Sequence, residues 1–396
     1  MAEIVDRPLL GRIGSFFADP RVRGIAIQFA LLAGVISLGW LFYANARQNL
    51  AVQNTATGFG FFWETAGFGL SQSLIPYVES ASYGRAFLVG LLNTLLVSAL
   101  GIIFATIIGF AVGIARLSSN VLLARLAGAY VEALRNLPVL FQILFWYLAV
   151  LGAMPSASAS KPFLGAIYFT NRGVLLPQLT FEPGGAAVFG ALAVAILLSV
   201  TLGIWAGRRR ARTGIRMPWR RYAVLLIFGL PAVAFIATGS PISLELPELR
   251  GFNFVGGTRI TPEFLALLFA LSTYTAAFIA EIVRAGFLAV PRGQTEAAVS
   301  LGLRRRATLR LVVTPQAMRL IVPPLTSQYL NLTKNSSLAA AIGYPDFFYV
   351  FAGTTLNQTG QAIEIIAVTM AVYLTISLLT AAFMNWYNRA VALKGS

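Results

Sequence analysis

Cysteine and histidine are both absent from this 396-residue chain. Without cysteine there can be no disulfide, no thiol nucleophile and no thiolate-bound metal. Without histidine the commonest general base and the commonest metal ligand are missing together, and Ser-His-Asp chemistry with them. Charge is scarce as well: Asp, Glu, Lys and Arg make up 11% of the residues, whereas a soluble domain carries about 25%. So little charge cannot cover a soluble surface, but lipid demands an apolar one, and 57% of the chain is hydrophobic. The composition is that of an integral membrane protein. Lysine is the rarest cation, at Lys161, Lys334 and Lys394. None follows glycine and precedes serine or threonine, so the chain cannot bind ATP through a P-loop.

Arginine is what remains, and it dominates a net charge of +16. Nucleic acid is the first partner such a charge suggests. The arginines sit instead in short clusters between apolar segments, which argues against nucleic acid and for membrane topology.

A helix needs about 20 mostly apolar residues to cross the hydrocarbon. Eight stretches qualify: 24–44, 86–115, 126–153, 185–206, 222–239, 262–287, 318–343 and 362–386. The positive-inside rule then orients them. With both termini in the cytoplasm, the inner segments hold Arg7, Arg12, Arg21 and Arg23, then Arg116 and Arg125. They also hold the run from Arg208 to Arg221 and the group Arg292, Arg304, Arg305, Arg306 and Arg310. The outer segments carry only Arg47, Arg85, Lys161, Arg172, Arg250 and Arg259. Span one lacks a small-residue cleavage site after Trp40-Leu41-Phe42-Tyr43 and reads as a retained signal anchor. The outer stretches 45–85, 154–184 and 240–261 read as loops; Phe61, Phe62, Trp63 and Tyr77 suit either an interfacial aromatic belt or loop packing.

The segment after span six is the most informative. Pro291 can open a short helix over Gln294–Leu301, and Gly302 tolerates the left-handed conformation of a helix end. A second, basic helix from about Arg304 is expected to stop near Pro315. Val299, Leu301, Leu309, Leu311 and Val312 are too apolar for a solvated loop and require a partner, either this bundle or another subunit.

Glu296-Ala297-Ala298, Gly302, Val312 and Pro315 stand at the spacings of the signature loop of ABC importer permeases, with Thr314 where that pattern prefers leucine. Asn93-Thr94-Leu95-Leu96, the stretch Tyr130 to Pro138, Tyr274 to Arg284, Pro315 to Arg319, and Leu332 to Leu338 resemble the polar amino-acid permeases. The match covers roughly 85–150 and 262–386, and the length is similar to the longer permease of general L-amino-acid uptake systems. The resemblance implies an all-α, type I importer fold in the bacterial inner membrane, with a five-helix core. It implies three partners: a separate ATPase dimer, a second permease making a heterodimer, and a periplasmic amino-acid-binding protein. It implies no enzymatic activity in this chain and no cofactor. Apart from the resemblance, the seven-arginine loop 207–221 reads as fixing its hairpin and contacting anionic membrane lipid, or alternatively as a contact with the ATPase. By the same resemblance, Glu296, Ala297, Ala298 and Gly302 dock into a groove on the ATPase, with Pro315 completing the coupling loop at 288–317.

Residues 1–84 then form an anchor helix and outer loop, and 85–153 and 262–396 the two parts of the core. Residues 154–261 hold an inserted helical pair, which returns the chain to the side it left. Charges within spans are costly, hence site candidates. Glu281 either pairs with Arg284, one turn on, or meets the α-ammonium of a passing amino acid. Lys334, with Asn335, Ser336 and Ser337, forms a polar patch that serves either the substrate path or helix–helix bonding. Pro323-Pro324 is expected to break the helix before it, and Gly109 and Gly113 form a small-residue pair. An ion-coupled secondary transporter is the competing function, but it needs buried carboxylates and offers no use for the 291–319 loop. A lipid transferase needs acids gathered at one face, and here they are scattered.

Overall fold

The structure is a computed structural model that describes residues 20–52, 57–181, 185–215, 217–239, 242–251 and 253–391. Arg7, Arg12, Glu182, Arg216 and Lys394 lie outside the described residues.

Helix α1 (Pro20–Val52) contains the first expected span and buries none of it against the rest of the described chain. Helix α2 (Tyr83–Arg116) starts where the Ser82 hydroxyl accepts a hydrogen bond from the Arg85 amide. Helix α3 (Val121–Asn136) starts on Asn120, whose side-chain oxygen accepts from the amides of Leu122 and Leu123 at 3.0 and 3.2 Å. The stretch expected as one span over 126–153 is apolar enough throughout but is broken into two helices. Leu137 is extended ahead of Pro138, as a residue before proline must be. The chain bends there by 107° into α4 (Val139–Leu144), which continues as a π-helical turn to Leu151.

The stretches read as loops contain short strands: β1 (Tyr168–Thr170), β2 (Gly173–Leu176) and β3 (Gln178–Phe181) precede the insertion. The inserted pair is α5 (Gly185–Thr213) and α6 (Trp219–Ala237). Strands β4 (Ile242–Glu245), β5 (Glu248–Arg250), β6 (Asn253–Val255) and β7 (Thr258–Ile260) follow. Strand β2 pairs antiparallel with both β1 and β7, and β3 pairs with β4, so that Phe181 faces Ile242. The insertion therefore leaves and re-enters at one paired base.

Helix α7 (Pro262–Leu288) is the centre of the bundle, with two-thirds of its span buried. Glycine lets α2 lie directly on it. A Cβ at Gly109 would sit 2.6 Å from Ile279, and one at Gly113 would sit 2.8 Å from the Ala280 carbonyl oxygen. Beyond α7 come α8 (Arg292–Ser300), α9 (Arg305–Thr308), a π turn over Leu309–Val313, and α10 (Thr314–Asn335). The basic helix does not stop at Pro315. That proline sits in the first turn of α10, where its missing N–H costs nothing, and the π turn just before it shifts the hydrogen-bond register. Nor do Pro323 and Pro324 end α10, which packs between α7 and α12. At Ser336 the helix tightens to a 3₁₀ segment that ends at left-handed Gly343. A π-helical segment (Phe348–Thr355), α11 (Leu356–Thr359) and α12 (Ala362–Val391) complete the chain.

Six of the described helices are long and apolar enough to span a membrane, seven if the bent pair counts as one. The remaining expected span is α10, which is long enough at 22 residues but carries Gln316, Arg319, Gln328, Asn331 and Lys334. The fold is a helical membrane bundle with one three-stranded and two two-stranded sheets in its loops.

Candidate functional site

The elbow expected after span six is present. Extended Pro291 launches α8, and the helix closes with two bonds: Leu303 N–H to the Ala298 carbonyl at 3.1 Å, and Gly302 N–H to the Val299 carbonyl at 2.8 Å. This Schellman end requires a left-handed residue, and Gly302 supplies it at φ +78°. Arg304 is extended, which turns α9 away from α8. The Gln316 amide donates to Gln294 Oε1 at 3.1 Å and ties α8 to α10.

Glu296, Ala297, Gly302 and Pro315 are exposed, but Ala298 is not: at 3% exposure it packs against its own chain. The sequence motif grouped it with the docking residues, yet one turn of helix separates faces that a linear motif cannot. Leu301 is 82% exposed, and Val299, Leu309 and Leu311 are exposed beside it. Among the described residues nothing covers the elbow's apolar surface, and exposed Arg292, Arg304, Arg305, Arg306 and Arg310 frame it.

Above the elbow, Glu281 forms the ion pair with Arg284, at 2.6 Å. Its other carboxylate oxygen accepts from Arg116 at the end of α2, a partner 165 residues away that helical spacing could not reveal. Arg135 lies over the Phe278 ring at 5.2 Å. Together Arg116, Glu132, Arg135, Phe278 and Glu281 line a cavity of about 430 Å³.

The polar patch at the end of α10 divides. Lys334 is exposed and makes no ion pair among the described residues, whereas Ser336 is buried and donates to the Thr333 carbonyl at 2.8 Å. Asn335 and Ser337 are half-buried, and Ser337 donates to the Lys334 carbonyl at 2.8 Å. Glu281 and Lys334 are not brought together. Helices α7 and α10 touch at Gly286 and Ile321; from that contact Glu281 lies roughly 8 Å along one helix and Lys334 roughly 20 Å along the other.

Sequence reasoning missed Asp346. It is fully buried and caps the helical segment that follows, accepting from the Tyr349 amide at 2.9 Å and from the Tyr373 hydroxyl at 3.1 Å. Asn93 and Thr94 on α2 bind the same turn: Asn93 donates to the Pro345 carbonyl at 2.9 Å, and Thr94 accepts from the Phe347 amide at 2.9 Å. The available signal was an isolated aspartate after Tyr-Pro at the start of an aromatic run.

Residues 199–393 match the family model of the binding-protein-dependent transport system inner membrane component. A general L-amino acid transport system permease of Rhizobium johnstonii is 49% identical over 395 residues, covering 99% of this chain and 98% of that protein. A putative amino-acid ABC transporter permease of Escherichia coli is 52% identical over 379 residues, 95% of this chain and 96% of its own length. A glutamate/glutamine/aspartate/asparagine transport system permease of Rhodobacter capsulatus is 43% identical, with 100% of both chains covered. The exposed elbow, the helical bundle and this end-to-end similarity agree: the chain belongs to the family of membrane-spanning permeases of binding-protein-dependent ABC transport systems.

Proposed function

We propose that this chain is the long permease subunit of an amino-acid importer and that its α8 elbow receives the force of ATP hydrolysed by a separate pair of ATPase subunits. The observation that carries the proposal is the elbow itself: a helix ended by a left-handed glycine, whose apolar side chains the described residues leave uncovered. Glu296, Ala297 and Gly302 meet the ATPase groove, and Ala298 fixes the helix to its own bundle. Movement of α8 passes through the Gln294–Gln316 bond to α10 and rocks the helices between inward- and outward-open states.

The remaining assignments follow from the same reading. The arginines of 116–125, 208–221 and 292–310 fall at one end of the spans, which faces the cytoplasm of a bacterial inner membrane, with both termini inside. The other end, with the strands, meets a periplasmic amino-acid-binding protein. A second, shorter permease completes a heterodimer, and Glu281 and Lys334 border the substrate path. Similarity to amino-acid permeases over nearly the whole chain supports this substrate class. The ion-coupled alternative finds no support in Glu281, whose carboxylate already holds two guanidinium groups.

The test is uptake by the purified complex in proteoliposomes. Glu296→Lys and Gly302→Asp should each cut ATP-driven uptake at least about tenfold, because 1.4 kcal/mol of lost coupling is a factor of ten. Insertion should be unchanged in both. Normal uptake in both variants, or accumulation without nucleotide, overturns the assignment.

A further inference from the structure

The inserted hairpin plays no part in the elbow, and only 11% of the α5 span and 6% of the α6 span are buried. It nonetheless has a built cavity at its turn. Arg210, Arg220 and Arg221 line a space of about 480 Å³ with Gly203, Gly207 and Trp219. From it, along the same two helices, runs an apolar groove of about 470 Å³ whose walls include Ile196, Val200, Ile204 and Ile227. Gly203 and Trp219, whose ring lies against Gly203, line both, so the two adjoin. The track is therefore cationic at the end of the spans and apolar toward their middle.

Among the described residues no acidic side chain neutralises the mouth. Between Pro183 and Leu244 there is no aspartate or glutamate, while seven arginines fall within 208–221. Among the described residues no carboxylate pairs with Arg210, Arg220 or Arg221. The amino end of α6, at Trp219, adds its partial positive charge to the same spot.

An occupant must bring an anion for guanidinium forks and, covalently joined to it, an apolar tail lying in the hydrocarbon. An acidic protein surface would fill the mouth alone, and a neighbouring span would fill the groove without balancing the charge. We propose that the α5–α6 hairpin binds an anionic phospholipid, its phosphate held by Arg210, Arg220 and Arg221 and one acyl chain lying in the groove past Gly203 and Trp219.

The test is native mass spectrometry of the intact importer complex taken from membranes of mixed phosphatidylglycerol and phosphatidylcholine. The wild type should retain phosphatidylglycerol. A triple variant, Arg210→Gln with Arg220→Gln and Arg221→Gln, should lose retention by on the order of 100-fold, from about fivefold per arginine. Trp219→Ala should lose it severalfold with every arginine in place. Wild-type complex should also melt higher in phosphatidylcholine nanodiscs doped with phosphatidylglycerol than in undoped ones, a readout that needs no variant. Millimolar glycerol phosphate should not displace the lipid; displacement would mean that the mouth binds free phosphate and the groove contributes nothing. Equal retention by the triple variant overturns the proposal, as does a triple variant that keeps its lipid but sheds the ATPase, which would make the patch a protein contact.

Discussion

Two helix pairs in this molecule, α2 with α7 and α5 with α6, are comparably apolar, yet they do opposite things. Helices α2 and α7 bring their backbones into contact through Gly109 and Gly113, and α7 is two-thirds buried. Helices α5 and α6 pack on each other and leave nearly all their surface to the surroundings. In lipid, hydrophobicity does not drive one span against another, because the tails are as apolar as leucine; close packing does. The difference therefore lies in where the small residues fall. Gly190 and Gly229 of the hairpin would add a Cβ into open space, whereas a Cβ at Gly109 or Gly113 meets Ile279, Val283 and backbone oxygen.

The largest effect that would test this contrast is at the α2–α7 contact. Gly113→Leu should destabilise the purified complex by about 3 kcal/mol or more, since overpacking against backbone cannot relax; thermal melting of the complex measures it. Next comes the knot that anchors α2 to the segment before α12. Asp346→Ala should cost about 2 kcal/mol by removing a helix cap and the Tyr373 hydroxyl's bond to it, and Asp346→Asn should recover most of it because asparagine caps as well. A double-mutant cycle with Arg116→Gln and Glu281→Gln should give a coupling of roughly 1–2 kcal/mol between α2 and α7. At the hairpin the sign reverses. Gly190→Ala and Gly229→Ala should be neutral or stabilising by up to about 1 kcal/mol, from helix propensity with nothing to strike. Replacing residues 182–241 with Asn-Gly should close β3 onto β4 as a tight hairpin and leave a folded core with an unchanged melting temperature. A core that fails to insert after that excision would show that the hairpin is structural.

Some of the site was legible in the residues. Pro291 and Gly302 bracket α8 because proline and glycine impose backbone angles whatever surrounds them. Glu281 and Arg284 meet because three residues bring side chains onto one helix face. The bend at Leu137 was also visible in principle, since proline restricts the residue before it, but a long apolar run concealed it. Pro315, Pro323 and Pro324 erred the other way: a π turn and neighbouring helices accommodate prolines that would end an isolated helix. Nothing local marks Arg116 as the second partner of Glu281, Ala298 as inward-facing, or Asp346 as the cap that α2 and α12 converge on.

The sequence alone determined that this is a membrane chain with no P-loop or thiol, where its apolar segments lie, and that a glycine-ended elbow follows span six. Those properties depend on hydropathy and backbone chemistry, which act within a few residues. Only the tertiary structure decided which glycines are contacts, which charges are matched, and that an arginine-lined mouth opens onto an apolar groove in the hairpin. Such features arise where segments far apart in the chain meet, and the distances between them exist only once the bundle has formed.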